Sequence, residues 1–435
     1  MSKIRNYLKQ SWILIKQNPL FSSIYIAGTG LSIALAMTVF IIFYVKFAPI
    51  YPEYNRNRTL VVKYVNIHPK DNKNNWRAGC LNEKVAKEIV YGLPHLDAMA
   101  MVDIYVGEKN ISNIHGTTVN IMPLGVSSGF WDVFTFNFVS GNRFTEKDVQ
   151  AKSKVVVISE KLSEKLFGKT NTENEKILIN GNEYTIKGVV ENVSSATPAT
   201  AADIWIPKDV MNFDNEKDFE DPEFLRGNYY LYMTARSEED KELLKKEFEE
   251  SLRKFNMSCK VYVNEVKGQP DEYWKSTFRT SITNPLDIKE SVKEYIYIIL
   301  ALLFIPAINL GGMISSRMGE RISELGLRKA YGATNAELLK QILTENMLLT
   351  SIGGLVGLII SYVIVLTTGE WILTLFDSTV NIDSEPAVLT AEMLLNPVIF
   401  GITLLICLIL NIVSALIPAT FALRRNIIDS LHSKR

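Results

Sequence analysis

The sequence predicts a membrane protein with four transmembrane α-helices and a large extracytoplasmic domain of the α+β class. The first observation is four apolar runs, each of roughly 20 residues or more, that contain no Asp, Glu, Lys, Arg or His; they lie at about 23–45, 295–316, 346–368 and 397–419. A helix of this length crosses a hydrocarbon core about 30 Å thick. The second observation is that more than half of the chain lies between the first two runs and mixes strand and helix patterns. The alternative, long buried helices in a soluble enzyme, does not explain four charge-free runs.

The apolar runs set the order of the chain. The predicted transmembrane helices occupy residues 23–46, 291–316, 342–368 and 397–419. The other segments are a cytoplasmic amphipathic segment at 1–22, the extracytoplasmic domain at 47–290, a cytoplasmic loop at 317–341, a short extracytoplasmic loop at 369–396 and a cytoplasmic tail at 420–435. The first run is longer than the apolar part of a signal peptide and lacks a small-residue cleavage site after it. We therefore expect it to stay in the protein as an anchor.

The distribution of Lys and Arg predicts the orientation in the membrane. Residues 1–22 carry four basic side chains and no acid, and the loop at 317–341 and the tail are also basic. The loop at 369–396 carries five acids and no Lys or Arg. Because short cytoplasmic loops are enriched in Lys and Arg, both termini and the loop at 317–341 are predicted to be cytoplasmic. The large domain then lies on the other side.

The extracytoplasmic domain shows β-α-β patterns at both of its ends. Runs of β-branched and aromatic residues predict strands, and apolar residues at helical spacing predict helices. In chain order the frame has a strand at 58–67, a helix at 81–96, strands at 99–107 and 117–126, a strand at 228–236, a helix at 238–255 and a strand at 259–266. The first helix is expected to end near Gly92.

A mainly β insert is predicted within this frame at about 138–225. It contains a strand followed by a short helix, which Ser159 or a neighbouring residue is expected to cap and Gly168 to close. Two further strands are joined across Asn180-Gly181, a strong signal for a hairpin turn.

No residue pattern in the outer domain predicts a catalytic or metal site. Ser127 and Ser128 lie in GVSSG, which fits a nucleophile elbow as a pattern, but its surroundings favour a plain turn. His68, His95 and His115 are scattered and are interpreted as exposed loop residues rather than metal ligands. The aromatic run FWDVFTFNF is expected to be core. A disulfide between the two cysteines of this domain, Cys80 and Cys259, is left open.

Small residues at helix-packing intervals mark two of the predicted spans. In the first span Gly28, Ser32 and Ala36 follow one another at four-residue steps. In the third span Gly353 and Gly357 form a G-x-x-x-G pattern, which lets helices approach closely. Packing within one chain and a dimer face on the first span both remain open.

The sequence of the cytoplasmic loop at 317–341 predicts regular structure rather than a simple connection. Glu324 lies four residues before Arg328, a favourable helix pair, and Gly332 is placed to end that helix. Thr334 and Glu337 form a capping box that begins a second helix leading into the third span. The loop is thus predicted to be a helix, a tight corner and a capped transmembrane helix, which could transmit movement.

The segment ERISELGLRKAYGATNAELLKQILTENMLL resembles a motif of the FtsX-like, MacB-like family of ABC transporter permeases. The matching residues are Arg321, Glu324, Gly326, Arg328, Lys329, Ala330, Gly332 and Ala333, with Glu345 as the later acid of the motif. The stretch from FWDVFTFNF to YTIKGVVENV resembles the MacB-type periplasmic core domain, and IPATFALRRNIIDSLH resembles the last span and tail of the family.

The resemblance implies a non-catalytic permease subunit in the bacterial inner membrane, with a periplasmic or extracellular domain. The residues at 321–333 named above, together with Thr334 and Glu337, would form the loop that couples to an ABC ATPase. The sequence contains no G-x-x-x-x-G-K-[ST] motif, so the ATPase, with its ATP and Mg, is expected on a separate chain. No cofactor or metal is expected on this chain.

Further partners implied by the resemblance are a second permease subunit, as a homodimer or heterodimer, membrane lipid and an adaptor or hydrolase outside, with no nucleic acid. The leading hypothesis is efflux or release of a substrate by mechanotransmission. The alternative is an FtsX-like regulator that activates an extracytoplasmic cell-wall hydrolase and transports nothing. A membrane sensor is a third, weaker hypothesis, because the cytoplasmic loops are too short for a signalling domain.

Overall fold

The computed structural model describes residues 12–13, 16–17, 19–103, 107–113, 116–194, 196–210, 223–293, 296–297, 300–301, 304, 312, 324–375 and 397–424. The chain divides into two compact units. The membrane unit comprises Met1–Tyr44, Lys293–Ile372 and Thr390–Arg435, and the outer unit comprises Val45–Val292 and Leu373–Leu389.

The outer unit is built on one large, mixed β-sheet. Its strands are β1 (Thr59–Val62), β2 (Val65–Pro69), β3 (Arg77–Leu81), β4 (Leu96–Asp103), β5 (Lys109–Asn113), β6 (Thr118–Ile121), β7 (Leu124–Val126), β8 (Phe138–Gly141), β9 (Val155–Ser159), β10 (Lys176–Ile179), β11 (Asn182–Val190), β12 (Ile204–Pro207), β13 (Arg226–Gly227), β14 (Tyr229–Ala235), β15 (Tyr262–Glu265) and β16 (Asp271–Glu272). The order along the sheet is β15-β2-β3-β14-β4-β7-β12-β9-β11-β10-β5-β6.

The helices are divided between the two units. In the outer unit they are α2 (Glu83–Val90), α3 (Phe130–Val133), α4 (Glu146–Gln150), α5 (Glu160–Phe167), α6 (Lys241–Ser258) and α7 (Tyr273–Ser276). In the membrane unit they are α1 (Pro19–Phe47), α8 (Asn335–Leu375) and α9 (Pro397–Arg424). The long helix α6 buries one stripe, formed by Leu244, Phe248, Leu252 and Phe255, in a hydrophobic core that it shares with α2.

Several predicted local features are confirmed. Ser159 caps α5 by accepting a hydrogen bond from the Leu162 amide, and Gly168 ends that helix with a φ of 70°. Asn180 and Gly181 both have positive φ values, 47° and 80°, as a two-residue hairpin between β10 and β11 requires. These signals worked because each depends only on neighbouring residues.

Other boundaries differ from the prediction. The single strand expected at 58–67 is two strands, β1 and β2, which pair with different partners. The first helix begins at Glu83 because the Asn82 side chain accepts hydrogen bonds from the Lys84 and Val85 amides. Its preceding residues form β3 instead.

The mainly β region also begins earlier in the chain than residue 138. Strand β5 pairs with β10, and β7 pairs in parallel with β12. The sequence does not predict strand β5, because in KNISN the only apolar residue is Ile111, which is fully buried in a hydrophobic core with residues of β9, β10 and β11.

In the membrane unit, the described residues contain three helices long and apolar enough to cross a membrane. They are Ser22–Ile41, Asn335–Thr367 and Phe400–Phe421. Most of the predicted span at 291–316 lies outside the described residues. Helix α8 starts inside the predicted loop at 317–341 and continues unbroken for 41 residues. At 1.5 Å per residue such a helix is about 60 Å long, twice the thickness of a hydrocarbon core.

Candidate functional site

The corner that precedes α8 is a tightly hydrogen-bonded helix end. Residues 324–330 are helical. Gly332 has a φ of +92°, and its amide donates to the Lys329 carbonyl at 2.9 Å. The Ala333 amide donates to the Arg328 carbonyl at 3.0 Å. This pair of bonds is a Schellman motif, in which a left-handed residue closes the helix and satisfies its last carbonyls. A Cβ added at Gly332 would meet no atom within 4 Å, so backbone conformation rather than crowding selects glycine there.

The capping box on the other side of the corner is confirmed. The Thr334 amide donates to the Glu337 carboxylate at 3.3 Å, and the Glu337 amide donates to Thr334 Oγ1 at 3.3 Å. The end of the helical segment at 324–330 and the start of α8 are thus only a few residues apart. The backbone groups between them are hydrogen-bonded. The predicted helix-corner-helix geometry follows from these contacts.

Arg328 ties the short helical segment to α8. Its Nη2 contacts Glu324 Oε1 at 2.7 Å, and its Nη1 donates to Gln341 Oε1 at 2.6 Å. Gln341 is buried on the second turn of α8. The guanidinium therefore links the two helices, while 35% of the Arg328 side chain remains exposed.

Lys329 ties the same segment to α9. Its Nζ donates to the backbone carbonyl of Leu423, the penultimate residue of α9. The last carbonyls of a helix lack intrahelical partners and carry partial negative charge, so an ammonium group there is doubly favourable. The two basic residues thus connect residues 324–330 to two different transmembrane helices.

An apolar cluster supports these polar contacts. Leu325 is 9% exposed and packs in a core with residues of all three long helices. The other members of that core are Tyr25, Leu338, Ile342, Leu349, Ala415, Ala419 and Leu423. Gly326 is buried beside Leu325. The short helical segment is therefore packed against the helix bundle and does not project freely.

The opposite face of the segment is exposed and largely apolar. Leu327 is 50% exposed and Tyr331 is 85% exposed, one helical turn apart, with Ala330 beside them. Of the other predicted coupling residues, Gly332, Thr334 and Glu337 are exposed, and Arg321 lies outside the described residues. Leu327 and Tyr331 were missed at the sequence level. Their i, i+4 spacing on the face opposite Leu325 was the available signal.

Gly353 and Gly357 let α8 approach α1 at backbone distance. A Cβ on Gly357 would lie 2.5 Å from the Gly30 carbonyl oxygen, and one on Gly353 would lie 2.1 Å from Thr29 Oγ1. The glycine pair in the third span therefore packs within the chain. On the α1 side, the residues that meet this glycine pair are Gly30 and Thr29.

The row predicted on α1, Gly28, Ser32 and Ala36, lies beside this contact. Ser32 Oγ donates to the Gly28 carbonyl of its own helix at 2.7 Å, and Ala36 is buried. A role of this row in a dimer stays a prediction.

The outer unit's candidate residues have structural roles. Ser127 Oγ accepts a hydrogen bond from the Met101 amide at 3.0 Å, which agrees with a turn rather than a nucleophile. Among the residues that the structure describes, no group of three His, Cys, Asp or Glu side chains could hold a metal ion. Cys80 and Cys259 are both buried. Most of the aromatic run is core, as predicted, with Phe130, Trp131 and Phe134 almost fully buried.

The histidine interpretation was wrong for one residue and untested for another. His68 is not in an exposed loop, because it lies in β2, is 6% exposed and approaches Glu265. Its strand is covered on both sides, which places even a polar side chain inside. His95 Nδ1 lies 2.6 Å from a Glu247 carboxylate oxygen. His115 lies outside the described residues.

Comparison with known families now decides the class of the protein. Residues 22–251 match the MacB-like periplasmic core domain, and residues 296–427 match the FtsX-like permease C-terminal domain. The chain belongs to the MacB/FtsX-type family of ABC transporter permeases.

This permease is similar to several named relatives. The uncharacterized ABC transporter permease YknZ of Bacillus subtilis is 25% identical over 281 residues, covering 63% of this chain and 64% of the relative. The macrolide export ATP-binding/permease protein MacB of Chromobacterium violaceum is 23% identical over 318 residues, covering 72% of this chain and 43% of the relative. The permease thus spans less than two thirds of either relative.

Two solved structures are similar to part of the permease. The extracellular domain of the transporter YknZ matches with a TM-score of 0.32 and 17% identity, covering 47% of this chain and 100% of that domain. The periplasmic region of MacB from Actinobacillus actinomycetemcomitans matches with a TM-score of 0.31 and 14% identity, covering 47% of this chain and 88% of that region.

Proposed function

We propose that this permease is the membrane subunit of an ABC complex in which a separate cytoplasmic ATPase moves the outer domain by mechanotransmission. In this proposal the outer domain exports or releases a substrate. The observation that carries the proposal is the packed corner at 324–337 in a chain of the MacB/FtsX type. A displacement applied to this corner would reach α8 through Arg328 and α9 through Lys329.

The ATPase is proposed to contact the exposed face of the short helical segment. Leu327 and Tyr331 supply an apolar contact on that face, and aromatic residues dominate the binding energy of many interfaces. Arg328 and Lys329 would act within the permease, since their side chains bond to Gln341 and Leu423. This divides the predicted coupling residues into a contact set and a transmission set.

The permease itself is proposed to be non-catalytic, with ATP and Mg bound by the ATPase. The sequence has no G-x-x-x-x-G-K-[ST] motif, and Ser127, the one nucleophile candidate of the sequence, accepts a hydrogen bond from the Met101 amide. Its relative from Pseudomonas savastanoi is named for pyoverdine export and the Chromobacterium relative for macrolide export, so a small exported molecule is a reasonable substrate class.

We propose an inner-membrane location with four spans, both termini cytoplasmic and the large domain outside. The basic segments at 1–22 and 317–341 and the acidic loop at 369–396 support this topology. A cysteine at position 383 should react with an impermeant thiol reagent in intact cells, and one at position 335 only after permeabilisation. The opposite pattern would reverse the topology. A dimer with a second permease and contact with a periplasmic adaptor belong to the same proposal.

Regulation of a cell-wall hydrolase is the second candidate function, favoured by the FtsX-like match at 296–427. The MacB-like match to residues 22–251 favours export, because it covers the outer domain that would act on the substrate. Co-purification of a peptidoglycan hydrolase in place of a membrane-fusion protein would favour regulation.

The ATPase contact is tested by mild detergent extraction and quantitative mass spectrometry of the co-purified chains. Tyr331→Ala should weaken the complex by about 2 kcal/mol, a roughly 30-fold loss of affinity. Tyr91→Ala is the matched control, because Tyr91 is 89% exposed but lies in the outer unit. The proposal fails if the native permease brings down no ATPase, or if the two variants retain it equally.

A further inference from the structure

A buried ion pair follows directly after the first transmembrane helix. Glu53 is 0% exposed and Arg56 is 4% exposed, with Arg56 Nε 2.7 Å from Glu53 Oε2. Burial disfavours the charged guanidinium, but the Glu53 carboxylate outweighs this and raises the pKa of Arg56. Buried charges are tolerated only where their remaining hydrogen-bonding capacity is also satisfied.

The Oε1 atom of Glu53 is satisfied by a distant loop at 194–200, of which the structure describes residues 194 and 196–200. Glu53 Oε1 accepts hydrogen bonds from the Ala199 amide at 3.1 Å and from Thr200 Oγ1 at 2.9 Å. Arg56 Nη2 donates to the Ala196 carbonyl of the same loop at 3.2 Å. This loop comes directly before β12 and therefore belongs to the mainly β region of the outer unit.

The other carboxylate oxygen of Glu53, Oε2, also receives a hydrogen bond from the segment at 271–276, which we call the return segment of the outer unit. The Tyr273 hydroxyl donates to Glu53 Oε2, and the Arg56 guanidinium carbon lies 5.0 Å from the centre of the Tyr273 ring. Burial, together with the Glu53 charge, raises the pKa of Tyr273, so the hydroxyl remains a donor. Tyr273 begins α7, within the stretch that leads back toward the membrane unit.

The pair also bonds to the residue that directly follows α1. Arg56 Nη1 donates to the Ala48 carbonyl at 2.8 Å, and α1 ends at Phe47. One carboxylate and one guanidinium therefore bond to three parts of the chain that are far apart in sequence.

We propose that Glu53 and Arg56 form a joint that makes the end of α1, the loop at 194–200 and the return segment at 271–276 move as one body. We call these two residues the connector joint. They are positioning residues, and no substrate or cofactor contact is assigned to them. Under the proposed function, a displacement of α1 would move the mainly β region and the return segment together. That consequence rests on the proposed function, whereas the joint exists in the permease alone.

A second buried ion pair supplies a matched control. Arg279 Nη2 lies 3.0 Å from Asp271 Oδ1, and both residues are less than 9% exposed. The other hydrogen bonds of Arg279 go to the Lys267 and Asn284 carbonyls. The side-chain bonds of this pair therefore stay within residues 267–284, and the backbone of Asp271 pairs with Val61 of β1 rather than with the loop at 194–200.

The test is hydrogen exchange by mass spectrometry on the full-length permease in lipid nanodiscs, without ATPase. Thr200→Val removes one bond on the loop side of the joint, and Tyr273→Phe removes one on the return side. Each variant should speed exchange on the side that was not mutated, by about 3-fold to 10-fold, because the two sides share the Glu53 carboxylate. Glu53→Gln should speed exchange in both segments by on the order of 10-fold to 100-fold.

The control separates coupling from local damage. Arg279→Met should speed exchange within residues 267–284 but affect the loop at 194–200 less than Tyr273→Phe does, because it leaves the bonds of Glu53 to Ala199, Thr200 and Tyr273 in place. The joint is refuted if Thr200→Val and Tyr273→Phe each loosen only their own side. It is also refuted if Arg279→Met loosens the loop as much as Tyr273→Phe does. Because no ATPase is present, failure of the joint is distinguishable from failure of the proposed complex.

Discussion

The contact between α1 and α8 allows a prediction whose magnitude comes from the structure. A Cβ on Gly357 would lie 2.5 Å from the Gly30 carbonyl oxygen, whereas ordinary contact begins at 3.4 Å, so Gly357→Ala forces a separation of 0.9 Å (3.4 − 2.5). The obstructing atom belongs to the backbone and cannot rotate away. Association of helices in a membrane depends on close packing, and gaps of this size forfeit much of the dispersion energy. We expect a loss of about 1–3 kcal/mol in the free energy of unfolding.

Two further variants make the prediction quantitative. Gly30→Ala meets the Gly353 carbonyl oxygen at 3.2 Å and needs a shift of only 0.2 Å (3.4 − 3.2). Gly401→Ala on α9 meets no atom within 4 Å and serves as the control. All three changes bring the same gain in helix propensity, about 1 kcal/mol, so their differences report packing alone.

The assay is unfolding of the purified permease in mixed micelles by titration with SDS, followed by circular dichroism. The expected order of stability is Gly401→Ala, then Gly30→Ala, then Gly357→Ala. If Gly357→Ala unfolds at the same SDS fraction as Gly401→Ala, α1 and α8 do not meet at these glycines and the packing argument fails.

Three other variants test local features of the two units. Thr334→Ala removes the capping box and should speed amide exchange at Glu337, equivalent to about 1 kcal/mol; unchanged exchange would contradict the cap. Burial disfavours the charged form of Asp148. Hydrogen bonds from the Lys187 side chain and the Thr145 backbone amide outweigh this effect and lower the pKa of Asp148 to about 2. This folded pKa lies below the unfolded value of 3.8, so the carboxylate stabilises the fold above pH 3.8 and that contribution is lost as the pH falls to about 2. Asp148→Asn should therefore flatten the acid side of the melting-temperature profile, and an unaltered profile would exclude this role. Gly181→Ala places a Cβ at a φ of +80° and should lower the free energy of unfolding by about 1 kcal/mol by thermal denaturation, whereas equal stability would argue against the hairpin turn.

Local sequence signals predicted the parts of the site that depend on neighbouring residues. The Schellman corner at Gly332 and the capping box of Thr334 and Glu337 are each closed by residues within a few positions. The pairing of Glu324 with Arg328 is of the same kind. Such contacts have little dependence on the rest of the fold, so their residue types alone are informative.

The direction in which the basic residues point could not be predicted in the same way. The sequence placed Arg328 and Lys329 in a positively charged loop, and the family resemblance implied contact of this loop with a partner ATPase. The structure instead turns Arg328 toward Gln341 and Lys329 toward Leu423, which is 94 residues further along the chain. Which face of a short helix is buried depends on the helices packed around it, and no local pattern specifies them.

The sequence by itself determined the apolar runs, the charge asymmetry of the loops, the mixed outer domain and the family motif. Each of these rests on residue composition or on spacings within one element, where hydropathy and backbone preference decide the outcome. Tertiary structure alone decided that α8 is continuous from Asn335, that Gly357 meets Gly30, and that Glu53 bonds to residues near 200 and 273. These are contacts between distant segments. Their energy depends on which surfaces meet and how much water they exclude, and that is fixed only when the whole chain has packed.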